Sequence, residues 1–145
     1  MLFRSLCYAV FDFKRRTVIL ANSGLPYPIR CSANRLRSGD PDAGNVSQIE
    51  LPGVPLGSFA GSTYDEVVFD LAAGDVYVFC SDGVFEASDA AGTEFGATRL
   101  LDAVSRNRQK NARDLVDAIV EALQEFRGET APNDDMTAVA VKITA

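Results

Sequence analysis

The chain has 145 residues, and 47% of them are hydrophobic, which is enough apolar material for the core of one domain spanning residues 1–145. A net charge of −6 argues against nucleic acid or an anionic membrane surface as a partner, because both carry negative charge themselves. No apolar run reaches the roughly 20 residues of a membrane span, so no membrane-spanning segment is expected.

The cysteines indicate a reducing compartment. Cys7, Cys31 and Cys80 are odd in number, widely spaced and without a C-x-x-C pair. This usage predicts buried free thiols and a cytoplasmic location.

The N-terminal third predicts β structure. Residues 6–11 are apolar on both faces, which is typical of a strand covered on both sides. A polar break separates them from residues 17–21, so an antiparallel hairpin is expected. Residues 27–31 predict a short third strand, which Pro26 and Pro28 should confine to an edge or a bulge.

The middle of the chain predicts a loop followed by two strands. Residues 32–47 are rich in Ser, Gly, Asp and Pro and should form a surface loop. Residues 64–71 form the next predicted strand. The nearly continuous apolar run Val76–Cys80 then predicts a central strand.

Two helices and a last strand follow. Helical spacing of apolar residues predicts helices over residues 97–106 and from Asn111, as the N-cap, to Gly128, as the stop. Residues 136–143 alternate and predict a final strand. Strands, two helices and a returning strand indicate an α+β fold, a mostly antiparallel β-sandwich flanked by helices.

Two aspartate motifs stand beside buried strands. Ser81-Asp82-Gly83 follows one apolar run and Asp134-Asp135-Met136-Thr137 precedes another, and the chain has no histidine. Carboxylate oxygens are the ligands that Mg²⁺ and Mn²⁺ prefer, so a metal site for hydrolysis of a phosphate ester is the favoured interpretation. Taken singly, each motif is more simply explained as a solvated turn.

Six segments in order resemble the bacterial branch of the metal-dependent (PPM-type, type 2C-like) serine/threonine phosphatases, the branch with sporulation stage II and sigma-factor-regulating enzymes. They are Ala21-Asn22-Ser23-Gly24-Leu25-Pro26-Tyr27-Pro28, Pro55-Leu56-Gly57, Ala73-Gly74-Asp75, Cys80-Ser81-Asp82-Gly83-Val84-Phe85-Glu86-Ala87, Glu94-Phe95-Gly96 and Asp134-Asp135-Met136-Thr137.

The resemblance implies that Asp82 and Asp134 are metal ligands and act in catalysis through a binuclear Mn²⁺ or Mg²⁺ centre. The supporting turn residues are Ser81, Gly83, Asp135 and Thr137. The implied substrate is phosphoserine or phosphothreonine on a regulatory protein of the anti-anti-sigma type. Because adjacent side chains of an extended segment face opposite ways, Asp135 is expected to point away from the site.

The resemblance also implies a partial domain, the C-terminal half to two-thirds of the phosphatase fold. Family members carry further metal-binding aspartates in an N-terminal segment that nothing here matches, and Leu25 stands where relatives often have histidine. Two hypotheses follow: a metal-dependent phosphatase, or a truncated, inactive phosphatase-fold module used for protein binding. Unpaired sheet edges would make a homodimer possible.

Three other kinds of catalytic or binding motif are rejected. Cys31 to Ser38 fits the C-x5-R-S pattern of cysteine phosphatases, but the loop has no glycine to cradle a phosphate. A P-loop sequence is absent, and a Ser-His-Asp triad is impossible without histidine.

Overall fold

A computed structural model describes residues 4–33 and 46–144 of the chain. It contains seven strands and three helices in these ranges. The strands are β1 (Leu6–Asp12), β2 (Thr17–Ser23), β3 (Ile29–Cys31), β4 (Val46–Gln48), β5 (Glu66–Asp70), β6 (Val76–Cys80) and β7 (Ala138–Lys142). The helices are α1 (Asp82–Phe85), α2 (Gly96–Asn107) and α3 (Ala112–Arg127).

The strands form two antiparallel sheets that pack face to face. The three-stranded sheet has the order β1-β2-β5, and the four-stranded sheet has the order β4-β3-β6-β7. Val18 and Leu20 of the first sheet meet Tyr77 of the second in one buried cluster, so the side chains between the sheets form a continuous core. This confirms the predicted α+β sandwich.

The helices cover the outer face of the four-stranded sheet. Leu100 and Val104 of α2 and Leu115 and Ile119 of α3 are buried in one cluster with Val78 of β6. The predicted caps are present, because the Asn111 side chain accepts a hydrogen bond from the Asp114 N–H at 2.9 Å. Gly128 ends the helix with a positive φ of 57°, a conformation that suits glycine.

A buried charge ties the two sheets together at the end away from the aspartate motifs. Asp75 is fully buried and accepts hydrogen bonds from the N–H groups of Ala33 (2.8 Å) and Ala72 (3.0 Å). Its partner Arg30, at 3.6 Å, stacks on the ring of Phe69 in the opposite sheet. The carboxylate is therefore satisfied by backbone and charge together, as a buried charge must be.

The outer face of the three-stranded sheet differs from prediction. The pattern of residues 6–11 predicts cover on both sides, yet Leu6, Tyr8 and Val10 are 49%, 52% and 39% exposed. The prediction is wrong for the described residues because both long helices pack on the other sheet.

Three local predictions also need correction. The strand at residues 27–31 begins only at Ile29 and lies between β4 and β6, so it is neither an edge nor a bulge. Pro28 precedes it, and its carbonyl accepts a hydrogen bond from the Ile49 N–H. The predicted loop of residues 32–47 ends in the strand β4, while its residues 34–45 lie outside the described ranges. The segment that begins at Asp82 is a one-turn helix rather than a simple turn.

None of the described helices combines the length and the apolar character that crossing a membrane requires.

Candidate metal centre

Two aspartate-bearing turns meet at one rim of the four-stranded sheet. The first turn, Ser81-Asp82-Gly83, follows β6, and the second turn, Asp134-Asp135-Met136-Thr137, precedes β7. The strands β6 and β7 are antiparallel neighbours whose register pairs Cys80 with Ala138. The chain therefore leaves β6 directly opposite the point where it enters β7, and the sheet topology alone brings the two turns together.

Ser81 locks the second turn against the first through three hydrogen bonds. Its N–H donates to the Thr137 carbonyl at 3.0 Å, and its hydroxyl oxygen accepts from the Thr137 N–H at 2.9 Å. The same hydroxyl donates to the Asp135 carbonyl at 3.2 Å. One small side chain thus satisfies backbone groups on both sides of the junction, where the sheet ladder ends.

Gly83 permits the close approach of the two turns. A Cβ atom at this position would collide with the carbonyl oxygen of Asp135 and would lie 3.4 Å from the carbonyl carbon of Asp134. Any larger residue would therefore push the second turn away from the first. This is a packing requirement, since the backbone at Gly83 is part of the helix α1.

The second turn is tethered at its other end as well. The Asn133 side-chain amide donates to the Ser88 hydroxyl oxygen at 3.4 Å, and that hydroxyl donates to the Glu86 carbonyl at 2.9 Å. These bonds connect the second turn to the segment that leaves α1. The backbone carrying Asp134 is consequently held from both sides.

The carboxylates of Asp82 and Asp134 are exposed at this rim. Each uses one oxygen to accept a hydrogen bond from the next backbone N–H: Gly83 to Asp82 Oδ1 at 3.0 Å, and Asp135 to Asp134 Oδ1 at 2.7 Å. These bonds orient each carboxylate and leave its second oxygen for an ion or water. The direction in which the Asp135 carboxylate points stays a prediction.

The donor set fits one hard cation. Two carboxylates are the number that a protein commonly offers to Mg²⁺, whose remaining positions are filled by water and substrate phosphate. Within residues 4–33 and 46–144, no group of three or more His, Cys, Asp or Glu side chains is placed to hold a metal. A binuclear centre therefore has too few ligands in the described part of the chain.

An apolar cavity of about 380 Å³ lies between the sheets beside the two turns. Its polar lining comes from Ser81 and Thr137, which are the two residues that join the turns. The remaining lining is Cys7, Ala9, Leu25, Pro26, Phe79, Cys80 and Val139. Burial in the core beneath the helices raises the pKa of the Cys80 thiol to about 12, so this thiol is neutral and unreactive.

Asn22 shapes the same end of the cavity. It is only 3% exposed, and its amide donates to the Leu25 carbonyl at 2.8 Å and to the Leu51 carbonyl at 3.2 Å. These bonds fix the loop that places Leu25 in the cavity wall. An aliphatic side chain there contributes no ligand.

The sequence predicts which turns carry Asp82 and Asp134 but not what surrounds them. The metal-binding role of these residues stays a prediction. The hydrogen bonds of Ser81 and Thr137 depend on strand register, which the sequence does not specify. Phe79 and Val139 were recognised as strand residues, and the cavity behind the turns had no signal in their pattern. Their side chains can be assigned to the cavity only when the packing of the two sheets is known.

The comparisons with known proteins agree with this architecture. The sequence matches the profile of the stage II sporulation protein E family (SpoIIE) over residues 1–144. No curated protein sequence matches the chain. Among solved structures, the SiaA-PP2C domain of Pseudomonas aeruginosa superposes with a TM-score of 0.75 at 20% identity, covering 93% of this chain and 50% of that one.

Two further structures show the same fold. The manganese-presoaked phosphatase domain of SpoIIE from Bacillus subtilis matches with a TM-score of 0.69 and 17% identity, over 97% of this chain and 56% of that one. The RsbU and RsbW domains of Rv1364c from Mycobacterium tuberculosis match with a TM-score of 0.69 and 22% identity, over 97% and 36%. This chain thus spans between about a third and just over half of these three solved chains, and its fold is that of PP2C phosphatase domains.

Proposed function

Since this chain belongs to the stage II sporulation protein E family, we propose that it supplies part of the active site of a metal-dependent protein-serine/threonine phosphatase. The observation that carries the proposal is the junction of the two turns. Asp82 and Asp134 come from segments 52 residues apart in sequence, and the bonds of Ser81 hold those segments together at one rim.

The proposed roles follow from the charge at this rim. Two exposed carboxylates repel a phosphate ester, so substrate can approach only when a cation lies between them. Asp82 and Asp134 would hold one Mn²⁺ or Mg²⁺ ion. The chemistry that such an ion supplies when bound is polarisation of the phosphoryl group and activation of water for its hydrolysis.

The protein itself contributes by positioning the two turns relative to each other. Ser81 and Gly83 keep the second turn against the first, which supports a defined separation between the backbone segments that carry Asp82 and Asp134. A site positioned in advance loses little conformational freedom when it binds an ion, so more of the interaction free energy remains as affinity.

The proposal extends to a binuclear centre, in which a second metal ion lies beside the first. It requires at least one more carboxylate, because the described residues hold no group of three metal-binding side chains. We therefore expect residues 1–145 alone to bind Mn²⁺ weakly and to hydrolyse p-nitrophenyl phosphate little or not at all.

The proposed substrate is phosphoserine or phosphothreonine on a regulatory protein of the anti-anti-sigma type. The resemblance to sigma-factor-regulating phosphatases supports this choice. The free thiols of Cys7, Cys31 and Cys80 support a cytoplasmic setting, since disulfides seldom form there.

The test is a calorimetric Mn²⁺ titration in the presence of free phosphoserine, the smallest probe of the substrate class, with serine as the matched control. Phosphoserine should raise the apparent Mn²⁺ affinity several-fold, because its phosphate fills positions on the ion that two carboxylates leave open. Serine should have no effect, and Asp82→Asn should remove the increase.

Equal Mn²⁺ affinity with phosphoserine and with serine would contradict a metal site for phosphate. Strong Mn²⁺-dependent release of p-nitrophenol by residues 1–145 would contradict the expectation of an incomplete centre. The two outcomes are independent of each other, so each part of the proposal is tested separately.

A further inference from the structure

The two long helices enclose a groove on the outer face of the helical layer. The helices run antiparallel, because Phe95, at the start of α2, packs on Phe126, near the end of α3, with 5.5 Å between the ring centroids. The groove between them has a volume of about 520 Å³. Its lining comes entirely from residues 95–126, all of which the structure describes, so α2, α3 and their short connection set its shape.

The two walls of the groove carry opposite charges. The α2 wall presents Arg99 and Arg106 together with one acidic residue, Asp102, and the α3 wall presents Glu121 and Glu125. All five residues are exposed. Arg106 pairs with Asp102 along its own helix at 2.9 Å, and within the described part of the chain no salt bridge joins one wall to the other. The groove therefore has a positive side and a negative side that do not neutralise each other.

Small side chains lie between the walls, and one of the wall charges is held in place. Ala103 and Ala118 are 6% and 8% exposed, and their methyl groups let another surface approach closely. The guanidinium of Arg99 lies over the ring of Phe126, 4.5 Å from its centroid, and donates to two backbone carbonyls at the start of α2. A side chain that is already ordered loses less conformational freedom when it meets a partner.

We propose that this groove is the interface of a homodimer, in which a second copy of the chain packs on it about a two-fold axis that runs along the groove. Rotation about this axis places α2 of each copy on α3 of the other. The positive wall of one copy then meets the negative wall of its partner, and the contact occurs twice. A two-fold axis across the helices would instead stack α2 on α2 and bring like charges together.

The charge pattern favours a second copy over an unrelated partner. A different protein would need a negative and a positive ridge at the spacing of two packed helices, about 8–10 Å, whereas a second copy carries that pattern by symmetry. The levels along the groove also agree. Arg99 lies beside Phe126, the neighbour of Glu125 in sequence, and a two-fold axis along the groove keeps each residue at its level. Arg99 of one copy therefore meets Glu121 and Glu125 of the other.

The charges also set the strength of the dimer. Each copy carries a net charge of −6, but at physiological salt this repulsion is largely screened, because the centres of two domains lie further apart than the Debye length of about 8 Å. Ion pairs between exposed side chains contribute little individually. We therefore expect a weak dimer, with a dissociation constant of about 10–100 μM.

Sedimentation velocity over a wide range of protein concentration, combined with charge reversal, tests the proposal. The wild-type mass should rise from one to two copies. One variant reverses the negative wall with Glu121→Arg and Glu125→Arg, and the other reverses the positive wall with Arg99→Glu and Arg106→Glu. Each variant alone brings like charges together and should associate at least tenfold more weakly than the wild type. An equimolar mixture of the two should recover the dimer, because their walls are again complementary.

A matched control separates the groove from the net charge. Glu66→Arg with Asp70→Arg on β5 makes the same change in net charge at exposed positions of the other sheet and should leave the dimer intact. A wild-type chain that stays monomeric at every concentration would overturn the proposal. A mixture in which the two groove variants stay apart would also overturn it, as would a loss of association in the β5 variant equal to that of the α3 variant.

Discussion

Each of the two sheets contains a strand that is apolar on both faces, and the two strands have different surroundings. The strand β6 of the four-stranded sheet is apolar on both faces, and its residues Val76, Tyr77 and Val78 are at most 1% exposed. The strand β1 of the three-stranded sheet is also apolar on both faces, yet its outer residues Leu6 and Tyr8 are about half exposed. The helices α2 and α3 account for the difference, because they pack on the four-stranded sheet and not on the outer face of the three-stranded one.

An apolar sheet face predicts that other residues pack on it. The sequence pattern of the strand does not specify which polypeptide supplies those residues. The contrast also locates the candidate site. Both aspartate turns extend from β6 and β7, so the sheet that the helices cover positions Asp82 and Asp134.

The largest expected effect compares truncation on the two sheets. Leu115 of α3 is fully buried against the four-stranded sheet, so Leu115→Ala should lower the free energy of unfolding by about 3–5 kcal/mol through lost burial and a new cavity. Tyr8→Ala should cost less than about 1 kcal/mol in dilute solution, because half of that side chain is already in water. Urea denaturation measures the free energy of unfolding of both variants. Equal losses would contradict the difference in burial between the two sheets.

The next effect concerns the junction of the turns. Gly83→Ala should lower the free energy of unfolding by about 1–3 kcal/mol and weaken Mn²⁺ binding, because the added methyl group collides with the Asp135 carbonyl. Gly92→Ala is the matched control. Its φ of +79° costs stability, but open space surrounds it, so Mn²⁺ binding should not change. A loss of Mn²⁺ affinity in both variants would point to general destabilisation.

A smaller effect isolates the Ser81 hydroxyl. Ser81→Ala removes a donor to Asp135 and an acceptor for Thr137, and should cost about 1–2 kcal/mol of stability and part of the Mn²⁺ affinity. Ser81→Thr keeps the hydroxyl and should recover most of both. Ser81→Thr that restored the melting temperature but not the Mn²⁺ affinity would contradict a role of the hydroxyl in the metal site. The hydroxyl would then contribute to stability alone.

The smallest effect is chemical and again compares the sheets. Cys7 lies on the exposed sheet and should react first with a thiol reagent at pH 8, while Cys80 should react only after unfolding. Burial raises the pKa of Cys80 from 9.0 to about 12, so its contribution to stability is complete below pH 9 and is lost as the pH rises towards 12. Fast labelling of Cys80 in the folded chain would contradict the buried position.

Local patterns predicted much of the fold. The periodicity of Leu115 and Ile119 and the cap at Asn111 define α3 because helix formation depends on neighbours in sequence. The interior position of β3 was missed because strand order depends on distant pairings, which Pro26 and Pro28 do not determine. Two strand ends predict that the turns bearing Asp82 and Asp134 lie at one rim, and the turns do meet there. The hydrogen bonds that join the turns depend on strand register, which no local pattern specifies.

The central claim is that the two turns converge on one cation, and paramagnetic broadening by Mn²⁺ in an amide correlation spectrum of the labelled chain tests it most directly. Substoichiometric Mn²⁺ should broaden the amides of Asp82 and Gly83 together with those of Asp134 and Asp135. Asp82→Asn should abolish the broadening at both turns, while Asp135→Asn should preserve it. Broadening at one turn alone, or at acidic residues elsewhere, would contradict the claim.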